Sequence, residues 1–247
     1  MASNKQANRF VFPRWANYLL PLLVLGAIGG GLYVPVVIGF GLSPDTLWRG
    51  YAPAQPVPFS HALHAGELGM DCRYCHTTVE DASFAAIPDT QLCISCHSPE
   101  DGVAGIGKDS ELLRPVHESY ETGRPVEWVK VHDQADFVYF DHSAHVNRGV
   151  SCVECHGRVD RMERVYMAEN MSMAWCLDCH QQPEMHLRPL EEVTNLAWDP
   201  REHLEAQGVE VTEMTRDEAQ YRIGMELKEK YNIHSRTYMM SCSTCHR

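Results

Sequence analysis

The ten cysteines of this 247-residue chain fall into five pairs, and each pair has the form Cys-X-X-Cys followed at once by histidine. They are Cys72 and Cys75 with His76, Cys93 and Cys96 with His97, and Cys152 and Cys155 with His156. Cys176 and Cys179 with His180, and Cys242 and Cys245 with His246, complete the set. Two thiols at this spacing can add to the two vinyl groups of a haem, and the adjacent imidazole then meets the iron from one side. The pattern is the attachment signature of c-type haem. Histidine is 14 of the 247 residues, so five such placements by chance are on the order of one in a million. Zinc sites also use Cys-X-X-Cys, but zinc has no use for a histidine in that fixed place. A disulfide across so short a loop is an odd staple to repeat, and iron–sulfur clusters need thiolates that this chain does not spare. The expectation is five covalently attached haem c groups, with His76, His97, His156, His180 and His246 as proximal iron ligands.

The opposite axial ligand then sets each haem's redox behaviour. Phe59-Ser60-His61-Ala62-Leu63-His64 precedes Cys72, and Phe140-Asp141-His142-Ser143-Ala144-His145 precedes Cys152. His-X-X-His spacing puts two imidazoles on one side of a helical turn, from where each can reach a different haem. The same pair recurs eight residues before one motif and seven before another, so His61, His64, His142 and His145 are the expected distal ligands. In each copy a second motif follows, 18 residues on from Cys75 and 21 from Cys155. Residues 59–99 and 138–184 therefore read as two copies of one two-haem module.

One iron is left without a distal ligand. His132, at the end of the apolar, strand-like run Val126–His132, is the first candidate, and His234, eight residues before Cys242, is the second. His117, His186 and His203 remain open. Met171, Met173, Met239 and Met240 stand just before motifs; a thioether ligand would raise the potential, although Met also fills gaps around large flat groups.

The elements that position these residues begin with an anchor. Ala16 to Leu42 is 27 residues without a charge, preceded by Lys5, Arg9 and Arg14 and no acid. A helix of that length spans roughly 40 Å, more than the ~30 Å of a bilayer's hydrocarbon. It is longer than a signal-peptide core, and no small-residue cleavage site stands out. The expectation is a cytoplasmic N-terminus at 1–15 and an uncleaved transmembrane helix at 16–42. The positive-inside bias sends the rest to the outer, periplasmic side of a bacterial inner membrane. Gly26 and Gly30 form a small-X-X-X-small pair that suits a partner helix. A Pro-rich linker is expected at 43–58, an irregular insertion at 100–137, and a C-terminal segment at 185–247 holding the fifth haem. Within that segment Thr215 and Glu218 form a capping box ahead of a helix over 215–231, with Ala219, Ile223, Met225 and Leu227 on its apolar face. The fold class expected is mostly α and irregular, with little regular secondary structure and the haems forming the core. Residues 43–247 carry 18 basic against 33 acidic residues, a formal charge of −15. That excludes nucleic acid as a partner and suits a basic partner protein.

An N-terminal anchor, two Phe-X-His-X-X-His two-haem modules of the cytochrome c3/c7-like kind and a fifth motif together resemble the pentahaem cytochrome subunit of alternative complex III. The run Val138–His145 and the ending Cys242–Arg247 carry most of the likeness. The resemblance implies a quinol:electron-acceptor oxidoreductase. Quinol oxidation would lie in partner subunits, an iron–sulfur protein and polytopic membrane proteins, and electrons would pass to a monohaem cytochrome c or a copper protein. The apolar helix has no charged residue, so it offers no obvious proton path or quinone base of its own. Two other classes compete: a stand-alone membrane quinol dehydrogenase, and a multihaem reductase of nitrogen or sulfur compounds. The first usually has Met where Thr78 stands; the second needs an open distal position or an altered motif, and all five motifs here end in His.

Overall fold

The computed structural model describes residues 12–99 and 105–246. The expected cytoplasmic Lys5 and Arg9 lie outside the described residues. The chain divides into two compact units, Met1–Leu47 and Trp48–Arg247.

The first unit is built on one helix, Ala16–Gly41. It is 26 residues long with a mean hydropathy of 2.1, long and apolar enough to cross a membrane. None of its residues is buried, and side chains such as Leu20, Leu25, Leu32 and Phe40 are more than 60% exposed. Pro21 and Pro35 sit inside it, as proline can in a membrane helix whose freed carbonyls find other partners. One further turn, Pro44–Leu47, follows.

The second unit has no strand among its described residues, only an isolated bridge between Val150 and Leu187. Each attachment motif lies on a short helix: Cys72–Cys75, Thr90–His97, Cys152–His156, Met173–Gln181 and Cys242–Cys245. Helices this short do not sustain themselves in water, and side chains start four of the five. Asp71, Asp89, Ser151 and Ser172 each accept a bond from a first-turn backbone N–H, which ties down a donor that would otherwise be orphaned.

The two modules interlock reciprocally. In the first, the segment carrying His61 and His64 runs into the wide helical turn Ala62–Glu67, and the Ala62 amide donates to the Met162 carbonyl, in the loop between the second module's motifs, at 3.1 Å. In the second, helix His142–Val146 returns the contact: the Ser143 amide donates to the Ala82 carbonyl, between the first module's motifs, at 3.2 Å. Ala62 and Ser143 each follow the first histidine of their pair, and Met162 and Ala82 each stand seven residues past a second motif cysteine. The equivalence is residue for residue, so the repeat is a pseudo-two-fold pair in space as well as in sequence. A Cβ on Gly66 would overlap the Asp160 carbonyl, so glycine is what permits the approach on the first module's side.

The C-terminal part adds a packed lobe. Helix Arg216–Lys230 carries the expected Thr215–Glu218 capping box and buries Ala219, Gln220, Ile223, Gly224 and Leu227. Met225 is 39% exposed rather than part of that face. Its place is taken by Gly224, where a Cβ would overlap the Glu184 carbonyl, and by Gln220, whose amide donates to the Glu184 and Leu187 carbonyls. Leu187, Trp198, Leu204, Ile223, Leu227 and Tyr231 form the larger apolar cluster of the unit.

Three expectations are revised. The stretch 48–58 is not a free linker: Val57 is buried against Ile94 and Val116, and Gly50 and Tyr51 exchange backbone bonds with Met167. The insertion is not irregular throughout, because Arg114–Thr122 is a helix with Pro near its start and Gly123 (φ +69) closing it. Its polar sequence hid it. The run Val126–His132 forms no strand; the Gln55 side-chain amide holds it instead, donating to the Val129 carbonyl and accepting the Val129 amide.

Candidate haem-attachment sites

Four of the five motif histidines face a histidine of a His-X-X-His pair across nearly one distance. His76 and His61 have ring centres 6.5 Å apart and planes within 4°; His156 and His142 are at 6.4 Å and 8°. His97 and His64 are at 6.2 Å and 62°, and His180 and His145 at 6.2 Å and 28°. Imidazole nitrogens bind first-row metals at about 2.0 Å, so two rings on opposite sides of one ion have centres roughly 6 Å apart. The spacing fits one iron between each pair. Within each module the first histidine of the pair faces the histidine of the first motif, and the second faces that of the second.

The rings are also oriented. Nδ1 of His76, His97, His180 and His246 lies 2.7–3.1 Å from the carbonyls of Ala86, Ile106, Met239 and Phe137. Nδ1 of His64, His142 and His145 is likewise 2.7–2.8 Å from the carbonyls of Ser60, Ser83 and Asp141. An Nδ1–H given to a carbonyl leaves Nε2 free as a metal ligand and fixes the ring plane. His61 Nδ1 is buried with no partner. Burial and then the neighbouring His76 and His64 bring the His61 pKa down to about 4, and burial followed by His132 brings His156 down to about 3. Both rings are therefore neutral near pH 7, as ligation requires. Phe59 stacks on His64 at 4.3 Å, and Phe140 on His145 at 4.7 Å, which gives the phenylalanine of each repeat its role. Among the described residues no three His, Cys, Asp or Glu side chains converge as a metal cage.

Some cysteines of different motifs lie close enough in space to perturb one another. The Cys72 and Cys152 thiols lie within hydrogen-bonding reach of each other, which pulls the Cys72 pKa down to about 7 and pushes Cys152 up. Sites one and three thus meet at the junction of the modules. Cys93 feels the charge of Cys75, Cys155 that of Cys179 and Cys176, and Cys176 that of Cys245. Cys96 and Cys242 are exposed, and the other eight cysteines are half-buried.

The remaining histidines are spread out. His132 stands not at His246 but beside His156, with ring centres 4.4 Å apart. His117 Nε2 bonds the His97 carbonyl, His203 bonds Gln207, and exposed His234 packs on the Tyr238 ring. His186 Nδ1 bonds Glu154. Met173 is 64% exposed. The described ring contacts bring Phe137, and no histidine, to His246.

One group was not foreseen. Glu154, between the cysteines of the third motif, takes His186 on one oxygen and Arg188 on the other, at 2.9 and 3.1 Å. The Arg188 residue is 3% exposed, and its guanidinium lies 5.0 Å over the Trp198 ring while donating to the Asn195 carbonyl. Burial lowers the Arg188 pKa, and the Glu154 carboxylate opposes this. Nothing in an X position of the motif signals such a partner.

Residues 46–136 match the class III cytochrome C family. That stretch contains the first module, and the match implies covalently bound haem c. Over 126 residues the chain is also 39% identical to the multihaem cytochrome c subunit of menaquinone reductase from Nitratidesulfovibrio vulgaris (strain Hildenborough). The match takes in 51% of this chain and 56% of that relative, so the chain spans little more than half the relative's length. Motifs, histidine spacing and likeness agree in fitting covalently bound haem c.

Proposed function

We propose that this chain is a membrane-anchored pentahaem cytochrome c of a quinone-linked complex, of the alternative complex III kind. It would relay electrons from quinol oxidised in partner subunits to a cytochrome c or copper protein on the outer face of a bacterial inner membrane. The observation that carries the reading is the set of four histidine pairs at 6.2–6.5 Å. Cys72, Cys75, Cys93, Cys96, Cys152, Cys155, Cys176, Cys179, Cys242 and Cys245 attach the five haems. His76, His97, His156, His180 and His246 bind iron proximally, and His61, His64, His142 and His145 distally. Bound haem supplies one-electron chemistry whose potential follows from axial ligands, burial and hydrogen bonds. The chain's own residues fix where that chemistry sits. Backbone carbonyls hold the ligand rings, and the Phe59 and Phe140 rings back the second distal histidine of each module. Membrane subunits and an iron–sulfur subunit would hold the quinone site.

A second reading reverses the flow, from a periplasmic donor into menaquinone. It is favoured by the relative's description as part of a menaquinone reductase. One preparation separates them: the complex is extracted gently from its membrane, and its partners are identified. Added menaquinol should reduce the haems, and pre-reduced complex should not consume menaquinone. Net menaquinone reduction would select the second reading, and recovery of the chain without membrane partners would sink both.

A further inference from the structure

Four of the five proximal histidines hand Nδ1 to a backbone carbonyl. His156 is the exception among the described residues. The pseudo-two-fold shows what is missing: its counterpart His76 bonds the Ala86 carbonyl at 2.8 Å, ten residues downstream, and no carbonyl is found at His156. A second imidazole stands there instead. The His132 ring is 4.4 Å from that of His156 and edge-on to it, at 81°. Its Nε2 is fully buried and has no hydrogen-bond partner. A buried polar atom left unpaired costs free energy, so a partner is expected when the site is complete.

His132 is held in place. Gln55 clamps Val129 with two hydrogen bonds, Trp128 packs on the Val57–Ile94–Val116 cluster, and Gln134 donates to the Met171 carbonyl. It is too close to be an axial ligand trans to His156, since two rings sharing an iron stand roughly 6 Å apart. His142 already fills that position at 6.4 Å and 8°.

We propose that His132 accepts the hydrogen bond from Nδ1–H of His156, in the place where the other proximal histidines use a backbone carbonyl, and so sets the orientation and basicity of that ligand. A neutral imidazole offers one acceptor nitrogen of this kind. The two rings touch at 4.4 Å without a hydrogen bond between them in this structure, so the bond needs a turn of the His132 ring about its own axis. Second-shell acceptors raise the basicity of a metal-bound histidine; a more basic ligand favours the ferric state and holds the third site at a lower potential than a weaker acceptor would. His132 is thus a positioning residue. It stands beside the first motif of the second module. The assignment rests on the reading of His156 as a haem ligand.

The test uses the full chain in its extracted complex, with His132→Ala and His132→Gln. Haem content, a redox titration followed by absorbance and the low-temperature ferric EPR spectrum are recorded for each. The expected result for His132→Ala is unchanged haem content, one midpoint potential moved upward and one low-spin signal with altered g values. His132→Gln, which keeps an acceptor, should lie between alanine and the parent; it also carries the test where the alanine variant fails to accumulate. Unmoved potentials and signals in both variants would overturn the proposal. So would a new high-spin ferric signal, which would make His132 itself an axial ligand. Absence of haem on the peptide containing Cys152 and Cys155 in the parent would instead defeat the underlying ligand reading.

Discussion

At the scale of single residues, the distal histidines make the sharpest claim. His142→Ala should leave five haems attached, because the cysteines are untouched, and should turn one low-spin site high-spin, because the iron loses one of its two imidazoles. Ferric EPR with haem quantification checks this, and His203→Ala, placed on Gln207 and away from every motif, should leave the spectrum unchanged. The facing of motif histidines and His-X-X-His histidines is legible in the sequence because chemistry fixes residue type and spacing together: haem attachment demands the pentapeptide, and the repeat exposes the pairs. What orients those rings is not legible. The Ala86, Ile106, Ser83 and Phe137 carbonyls belong to the backbone, which any residue supplies. His132 shows the same limit: its type and its apolar surroundings suggested a ligand, whereas only three-dimensional placement brings it to His156 and not to His246.

At the scale of elements, short helices are started by caps and tied by buried polar contacts, and both can be broken singly. Asp71 accepts from the Arg73 amide and side chain and from Thr194, joining the first attachment helix to the C-terminal lobe. The hydrogen bond from Arg73 is the chief cause that lowers the Asp71 pKa from 3.8 to about 2. Because the folded value is depressed, this contribution is fully present above pH 3.8 and is lost as pH falls through about 2. Asp71→Asn should flatten the pH dependence of denaturant midpoints in that window and leave it unchanged near neutrality. Glu154→Ala acts differently. It leaves the Arg188 guanidinium buried and unpaired under Trp198 and should cost about 3 kcal/mol, read from denaturation of the haem-loaded chain. Gly224→Ala should also destabilise, since its Cβ would overlap the Glu184 carbonyl where helix Arg216–Lys230 meets residues 183–185. That helix was legible from its capping box, a local signal. Helix Arg114–Thr122 was not, because its stability comes from Val116 packing on Val57 and Ile94, contacts that periodicity in a polar segment does not reveal.

At the scale of the whole molecule, the five Cys-X-X-Cys-His motifs lie in one small unit and an uncovered apolar helix in the other. Gly26, Gly29 and Gly30 have open space where a Cβ would stand, a surface on which another membrane helix can approach closely. Apart from Tyr18 and Tyr33 that helix carries no titratable side chain between Ala16 and Gly41, so it supplies no carboxylate or imidazole base for quinol. On the proposed function the chain alone should be a competent electron carrier but an incompetent quinol oxidase. The measurement is direct. The purified single chain, loaded with haem and held in detergent, is mixed with a menaquinol analogue and followed at the haem absorption band, with dithionite giving full reduction. Reduction by the quinol should be no faster than in a blank containing a small soluble cytochrome c, and restoring the partner subunits should accelerate it by orders of magnitude. Fast reduction of the isolated chain would place a quinol site within it and return the stand-alone dehydrogenase to first place.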